Sequence, residues 1–151
     1  LARRKKYAKM YDEAFTGLEG IAKLPVNTEE RQCAYWWYPI NLDIDKLDIQ
    51  APEFVKELGK EGIPCYGIQW PEAHEERAYR ELNGFGTAHF PFRSKEYTNP
   101  EAVKYDQVIC PNAKRLRSVT FSLFLHPSWE EVHINRCIEG VKKVLAAHLK
   151  K

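Results

Sequence analysis

The chain has 151 residues and a formal net charge of +2, with 44% hydrophobic and 13% aromatic residues. These values are typical of one globular domain with a buried core, and they exclude a disordered chain. The weak charge gives no electrostatic case for a nucleic-acid-binding or membrane-surface protein, and no apolar run approaches the roughly 20 residues that a membrane span needs.

The cysteine pattern bears on the state of the thiols, and the first residues bear on whether the chain is part of a longer polypeptide. Four cysteines are unevenly spaced and form no CxxC pair: Cys33, Cys65, Cys110 and Cys137. This predicts reduced thiols in a cytoplasmic protein rather than a disulfide framework or a zinc site. The chain begins with Leu1, and its one methionine, Met10, falls inside a predicted helix. We therefore expect residues 1–151 to be one small domain of a longer polypeptide.

Residues 2–18 predict an amphipathic lead-in helix within the segment 1–20. Apolar side chains recur there at spacings of three and four: Tyr7, Met10, Tyr11, Ala14, Phe15 and Leu18. Gly17 and Gly20 predict its end. The basic cluster from Arg3 to Lys6 is either a phosphate-binding patch or a solvated helix end. The solvated end is favoured, because no aromatic or glycine-rich partner lies near it in sequence.

The sheet-and-helix body, residues 34–151, begins with a predicted strand at 34–42, which is rich in aromatic and β-favouring residues. The aromatic run lacks polar alternation, which predicts that both faces are covered. Pro39 cannot donate to a ladder and predicts an edge position or a bulge. The aromatic rings are either a ligand platform or core and interface packing, and packing is the usual role.

The middle of the chain alternates short regular segments with loops. Asp43, Asp45 and Asp48 are interpreted as turn and cap residues, because the glycine and distal glutamate of a calcium loop are missing. Pro52 predicts a helix start and Gly62 its end. Four segments follow: an extended segment over 63–70, a helical turn over 75–82, an irregular loop over 83–99 and a helix-prone segment over 100–117 that is broken at Cys110-Pro111.

The last part predicts a strand over 119–125 and a long helix that ends near Leu149. The run from Ser128 to Glu131 has the pattern of a capping box, with the Ser128 oxygen as the cap. The complete order predicts an α+β fold: a small, mostly antiparallel sheet of about three strands with helices packed on one face.

Candidate chemistry is sparse. The sequence contains no G-x-S-x-G, H-E-x-x-H or P-loop motif. Glu130 and His133 have the i,i+3 spacing of a metal-ligand pair, but a surface pair is favoured for a single copy. His74 lies among Glu72, Glu75 and Glu76 after an aromatic-proline turn. It is the histidine best suited to face a ligand, and the alternative is an ordinary exposed loop residue.

Several segments, in this order, resemble the C-terminal small domain of the DegT/DnrJ/EryC1/StrS family, which are pyridoxal-phosphate (PLP)-dependent aminotransferases that act on nucleotide sugars and cyclitols. The similar segments are the helix with Tyr7 and Tyr11, the aromatic strand from Tyr35 to Ile40, Phe54 to Leu58 followed by Gly62-Ile63-Pro64-Cys65, Trp70 to His74, Cys110-Pro111-Asn112-Ala113-Lys114, Phe121 to Leu125, and the closing helix. Lys114 stands where the family usually has glutamate, and no segment resembles the Schiff-base lysine motif.

The resemblance implies a domain that closes one side of a substrate cleft and shapes the pocket for a keto sugar or keto cyclitol. It implies Tyr66, Trp70 and His74 as substrate-facing residues, with no catalytic residue and no metal ligand in this chain. PLP is implied for the parent enzyme and not for this chain alone. The implied partners are an N-terminal PLP-binding domain, glutamate or glutamine as amino donor, and a second copy in a homodimer, without nucleic acid or membrane.

Two rival functions remain open. The chain is alternatively a stand-alone α+β module that binds a small molecule or a protein, or an RNA-binding domain, which rests only on the basic cluster from Arg3 to Lys6 and the interleaved aromatics. As a domain without its partner, the chain is also expected to expose an apolar patch on the first helix and on Tyr35–Tyr38, and to self-associate.

Overall fold

The computed structural model describes residues 1–87, 89–99, 102 and 104–151. In chain order the elements are α1 (Ala2–Phe15), β1 (Ile21–Lys23), β2 (Trp37–Leu42), α2 (Ala51–Lys60), β3 (Cys65–Gly67), α3 (Arg77–Arg80), α4 (Pro111–Val119), β4 (Thr120–Phe124) and α5 (Glu131–His148), with 3-10 turns at Ala73–Glu75 and Tyr105–Gln107. The chain forms two compact units, which we call the first unit (Leu1–Ile68 and Arg115–Lys151) and the second unit (Gln69–Lys114).

The first unit contains an antiparallel sheet in the order β1-β2-β4-β3. The predicted α+β class and the antiparallel sheet are confirmed, although the sheet has four strands rather than three. The additional strand, β1, pairs with the end of β2 across a register shift between Ile21 and Lys23. Three residues are too few to produce a detectable alternation, and the sequence therefore gave no signal for β1.

The core lies between one face of the sheet and the helices α1, α2 and α5. Tyr11 of α1 packs on Tyr38 of β2 with ring centroids 5.1 Å apart, and Phe54 of α2 packs on Phe121 of β4 at 4.9 Å. Tyr38 and Phe121 lie on the same sheet face, because Tyr38 pairs with Leu123 and Phe121 pairs with Ile40. Helices on one face, as predicted, leave the other face of the sheet to carry a different set of side chains.

The structure refines one expectation about β2 and corrects another. This strand lies between β1 and β4, and Pro39 is therefore not on an edge strand. Pro39 is tolerated because β1 pairs only with Asn41 and Leu42, which leaves β2 one neighbour at Pro39. The two faces also differ, since Tyr38 and Ile40 are buried and Pro39 is exposed.

The apolar face of α1 is covered. Tyr7, Tyr11 and Phe15 are buried, and the expected apolar patch on this helix was therefore wrong. In the Tyr35–Tyr38 run, Trp36 is exposed, whereas the first and last tyrosines are buried. This face of α1 was expected to contact a missing partner, but it packs in the core of the first unit.

Helix α5 begins two residues later than the capping motif indicates. Its N-cap is Glu130, whose backbone N–H donates to His133 Nδ1 at 3.1 Å, while the Glu130 carboxylate faces the His133 backbone N–H. Ser128, the predicted cap, instead contacts His126 through its Oγ and the ring Nδ1 at 2.7 Å. The Ser128 prediction was wrong, because a turn closed by Trp129 N–H donating to the His126 carbonyl precedes the helix.

The remaining turns follow the sequence closely. Gly62 ends α2 with φ +71°, a left-handed conformation that glycine adopts without strain. Lys46 N–H donates to the Asp43 carbonyl, which makes the aspartate-rich segment a turn. Within the described residues, no helix combines the length and apolarity needed to cross a membrane.

Candidate functional site

The sheet face opposite the helices carries a cluster of aromatic rings. Trp37 of β2 lies 4.6 Å from Phe124 of β4 and 4.7 Å from Tyr66 of β3, measured between ring centroids, and Tyr66 lies 5.0 Å from Phe124. Trp36 stacks on Trp37 at 6.4 Å, and Trp129 lies 6.2 Å from Phe124. We call these five residues the aromatic platform.

Strand register places the centre of the platform on one face. Trp37 pairs directly with Phe124, and Tyr66 pairs with Ser122, two residues before Phe124. Directly paired antiparallel residues project to the same side of a sheet, and residues two apart on one strand do so too. Three aromatic residues that are distant in sequence therefore meet on this face.

Hydrogen bonds from α1 hold the backbone that carries the platform. The Tyr7 hydroxyl donates to the Trp129 carbonyl, and the Tyr11 hydroxyl donates to the Phe124 carbonyl at 3.3 Å. Both tyrosines are otherwise buried in the core. The polar ends of two core side chains thus position Phe124 and Trp129, and the platform has a fixed base.

The platform is accessible at its rim. The Trp36 side chain is 73% exposed and Tyr66 is 37% exposed, while Trp37, Phe124 and Trp129 are half-buried. Exposed aromatic faces bind planar or weakly polar ring faces, and the Tyr66 hydroxyl can both donate and accept a hydrogen bond. This arrangement suits the binding of a ring-shaped ligand and offers no acid or base at its centre.

The buried titratable groups beneath the sheet stay neutral. Burial raises the pKa of Tyr11 and of Tyr38, and the Tyr38 hydroxyl donates to Asp12 Oδ1 at 2.5 Å. Burial also raises the pKa of the Cys65 thiol to about 11. These groups therefore keep their protons near neutral pH and act here in packing and as hydrogen-bond donors.

The three predicted substrate-facing residues fall in different units. Tyr66 belongs to the platform of the first unit. Trp70 and His74 belong to the second unit, where Trp70 is 75% exposed and His74 is half-buried on the Ala73–Glu75 turn. His74 Nδ1 lies 3.9 Å from Cys110 Sγ. This contact was not predicted, because the two residues are far apart in sequence.

The second unit also contains an aromatic trio that the sequence did not reveal. Tyr79 lies 6.0 Å from Phe92 and 5.3 Å from Tyr105, and Phe92 lies 6.1 Å from Tyr105. A cavity of about 200 Å³ borders Tyr79 and Tyr105 and is also lined by Arg80 and Arg93. The three rings lie on three separate segments, and no sequence pattern links them.

The sequence profile of the DegT/DnrJ/EryC1/StrS aminotransferase family matches residues 1–94. The chain belongs to this family.

Similar proteins agree with this assignment. An uncharacterized protein of Methanocaldococcus jannaschii is 26% identical over 144 residues, which are 95% of this chain and 32% of that protein. The aminotransferase TlmJ from Streptoalloteichus hindustanus has a TM-score of 0.68 at 19% identity, with coverage of 97% of this chain and 32% of TlmJ. Spr1654 from Streptococcus pneumoniae, provisionally named a sugar aminotransferase and solved in its PMP form, has a TM-score of 0.66 at 21% identity, with coverage of 97% and 31%.

The DegT/DnrJ/EryC1/StrS chain described here thus spans about a third of the length of these relatives. At this level of identity the solved structures establish a shared fold. The fold they share includes both the four-stranded sheet and its helices, since nearly the whole chain superposes.

The lysines of this chain do not fit a cofactor imine. A lysine that forms one is usually desolvated or placed beside another cation, which favours its neutral amine. All lysine residues here are exposed, and Lys150 Nζ donates to the carbonyls of Ile44 and Asp45. Among the described residues, no group of three or more histidine, cysteine, aspartate or glutamate side chains is arranged to hold a metal ion.

Proposed function

We propose that this chain is the C-terminal small domain of a PLP-dependent aminotransferase that transfers an amino group to a keto sugar, linked to a nucleotide, or to a keto cyclitol. The observation that carries the proposal is the family match over residues 1–94, together with coverage of about a third of each relative. The shared fold supports it, and the PMP form of Spr1654 supports a pyridoxamine-type cofactor in such proteins.

In this proposal the chemistry belongs to the domain that holds the cofactor. The cofactor supplies an electron sink, and the lysines of this chain are not suited to hold it. A neighbouring N-terminal domain binds PLP, glutamate or glutamine supplies the nitrogen, and the parent enzyme is a homodimer. The small domain contributes binding, orientation of the acceptor and exclusion of water.

Tyr66 is the residue of this chain that we assign first to the acceptor. Its ring rests on Trp37 and Phe124, its hydroxyl accepts or donates a hydrogen bond, and 37% of the side chain is exposed. A sugar or base ring placed on the platform gains contact area with a rigid surface at low cost in side-chain entropy. Trp70 and His74 of the second unit are also proposed as substrate-facing residues.

The test uses the complete polypeptide encoded by the gene. It is assayed for amino transfer from L-glutamate and L-glutamine to a nucleotide-linked 4-keto sugar and to a keto cyclitol, with the two half-reactions measured separately. We expect Tyr66→Ala to raise the KM for the keto acceptor about tenfold, equivalent to ~1.4 kcal/mol, and to leave the donor half-reaction unchanged.

Tyr97→Ala is the matched control, because Tyr97 is a tyrosine of similar exposure, 40%, outside the platform. Equal effects of the two substitutions on the acceptor KM would remove Tyr66 from the site. A complete polypeptide that binds no PLP and transfers no amino group would overturn the proposed function and leave the binding-module alternative.

A further inference from the structure

The Cys110 thiol and the His74 imidazole contact each other in the second unit. Cys110 Sγ and His74 Nδ1 are 3.9 Å apart, within reach of a long hydrogen bond to sulfur. The thiolate is the reactive form of cysteine, and an adjacent imidazole favours it by taking the proton. Both side chains are half-buried, so a small molecule can reach them.

Cys110 also lies at the start of a helix. Cys110 directly precedes Pro111, the first of the nine residues of α4, and the Lys114 N–H donates to the Cys110 carbonyl at 3.1 Å. These contacts make Cys110 the N-cap. The unpaired N–H groups and the dipole at a helix N-terminus stabilise a negative charge on a cysteine placed there.

The other cysteines provide a contrast within the same molecule. Burial raises the pKa of the Cys65 thiol to about 11, and it also raises the pKa of Cys137, which is only 2% exposed. Cys33 is half-buried like Cys110 but lies in a loop, where its backbone N–H donates to Asn27 Oδ1. Accessibility alone would therefore make Cys33 and Cys110 react similarly.

We propose that Cys110 is an activated thiol and a site of covalent modification by small electrophiles, with His74 as its base. In the reaction with iodoacetamide, the sulfur attacks the methylene carbon, an S–C bond forms, the C–I bond breaks and iodide leaves. The thiol proton passes to His74. The proposal concerns thiol chemistry only, and it stands whether or not the parent protein is an aminotransferase.

The first test needs no substitution. The native chain and the urea-unfolded chain are treated with iodoacetamide, and the alkylation rate of each cysteine is read by peptide mass spectrometry. We expect Cys110 to react about tenfold faster in the native chain than in the unfolded chain, Cys33 at a similar or lower rate, and Cys65 and Cys137 far more slowly. A native rate for Cys110 at or below its unfolded rate would overturn the proposal.

The second test identifies the base. His74→Asn is expected to lower the native rate at Cys110 about tenfold and to leave Cys33 unchanged. His89→Asn is the matched control, because His89 is an exposed histidine of the same unit whose φ of +50° asparagine tolerates. An unchanged Cys110 rate in His74→Asn, or an equal fall in both variants, would remove His74 from the pair.

Discussion

Gly140 lies where helix α5 approaches Ile63 most closely. A Cβ at Gly140 would be 2.5 Å from Ile63 Cγ1 and 2.8 Å from Cδ1, whereas a Cβ at Gly59, near the end of α2, would meet nothing within 4 Å. Alanine is favoured over glycine in helices by ~1 kcal/mol, but overpacking a core costs ~1–3 kcal/mol. We expect Gly59→Ala to raise the free energy of unfolding and Gly140→Ala to lower it, as measured by urea denaturation.

The control for this pair of substitutions tests the contact between Gly140 and Ile63 directly. Ile63→Ala removes both atoms that the new Cβ would meet, so Gly140→Ala should become neutral or stabilising in that background. If Gly140→Ala is equally destabilising with and without Ile63, the loss has another cause. Hydrophobic periodicity identifies the buried face of α5, but it cannot indicate that one position on this face has room only for hydrogen.

At the scale of elements, the structure shows which helix and strand features could be predicted from local sequence signals. The α2 helix has Pro52 in its first turn and Gly62 just after its C-cap, close to the predicted start and end, because proline and glycine act through their own backbone restrictions. The Ser128 cap failed, because serine and glutamate both satisfy helix N-termini and the choice between them depends on the preceding turn. The aromatic run at Tyr35–Tyr38 predicted a strand, but only register with β4 and β3 decides which rings form a platform.

The N-terminus of α5 gives a prediction at this scale. His133→Ala removes the acceptor of the Glu130 backbone N–H and should lower the free energy of unfolding by ~1 kcal/mol, as measured by urea denaturation. His133→Gln should retain most of this stability, since glutamine is a usual partner at this position of a capping box. Ser128→Ala should change the stability little.

A loss for Ser128→Ala as large as that for His133→Ala would show that the helix begins at the serine after all. A loss for His133→Gln equal to that for His133→Ala would assign the effect to the stacking of His133 on Trp129, whose ring centroids are 5.9 Å apart, rather than to the cap.

At the scale of the whole molecule, the two units differ in how their stability is supplied. The buried hydrophobic side chains of the described residues all belong to the first unit. Their spacing in α1, α2, β4 and α5 is regular, which is why the α+β fold could be predicted. The second unit relies on turns and on the trio of Tyr79, Phe92 and Tyr105, whose contacts leave no periodic pattern. For this unit the sequence predicted a helical turn over 75–82, an irregular loop over 83–99 and a helix-prone segment over 100–117, but no contact among them.

This difference predicts separate opening of the second unit. Backbone amides such as those of Tyr79 and Glu81, which donate within the segment, should exchange with solvent hydrogen faster than those of β2 and β4, because little apolar area is buried around them.

Phe92→Ala removes two ring contacts worth ~1–3 kcal/mol together, and it should accelerate exchange in residues 69–114 by ten- to a hundredfold while leaving the first unit unchanged. Phe85→Ala, at an 84% exposed phenylalanine of the same unit, should have little effect. Equal acceleration in both units after Phe92→Ala would mean that the chain opens as one cooperative body, and that the trio contributes to global stability instead.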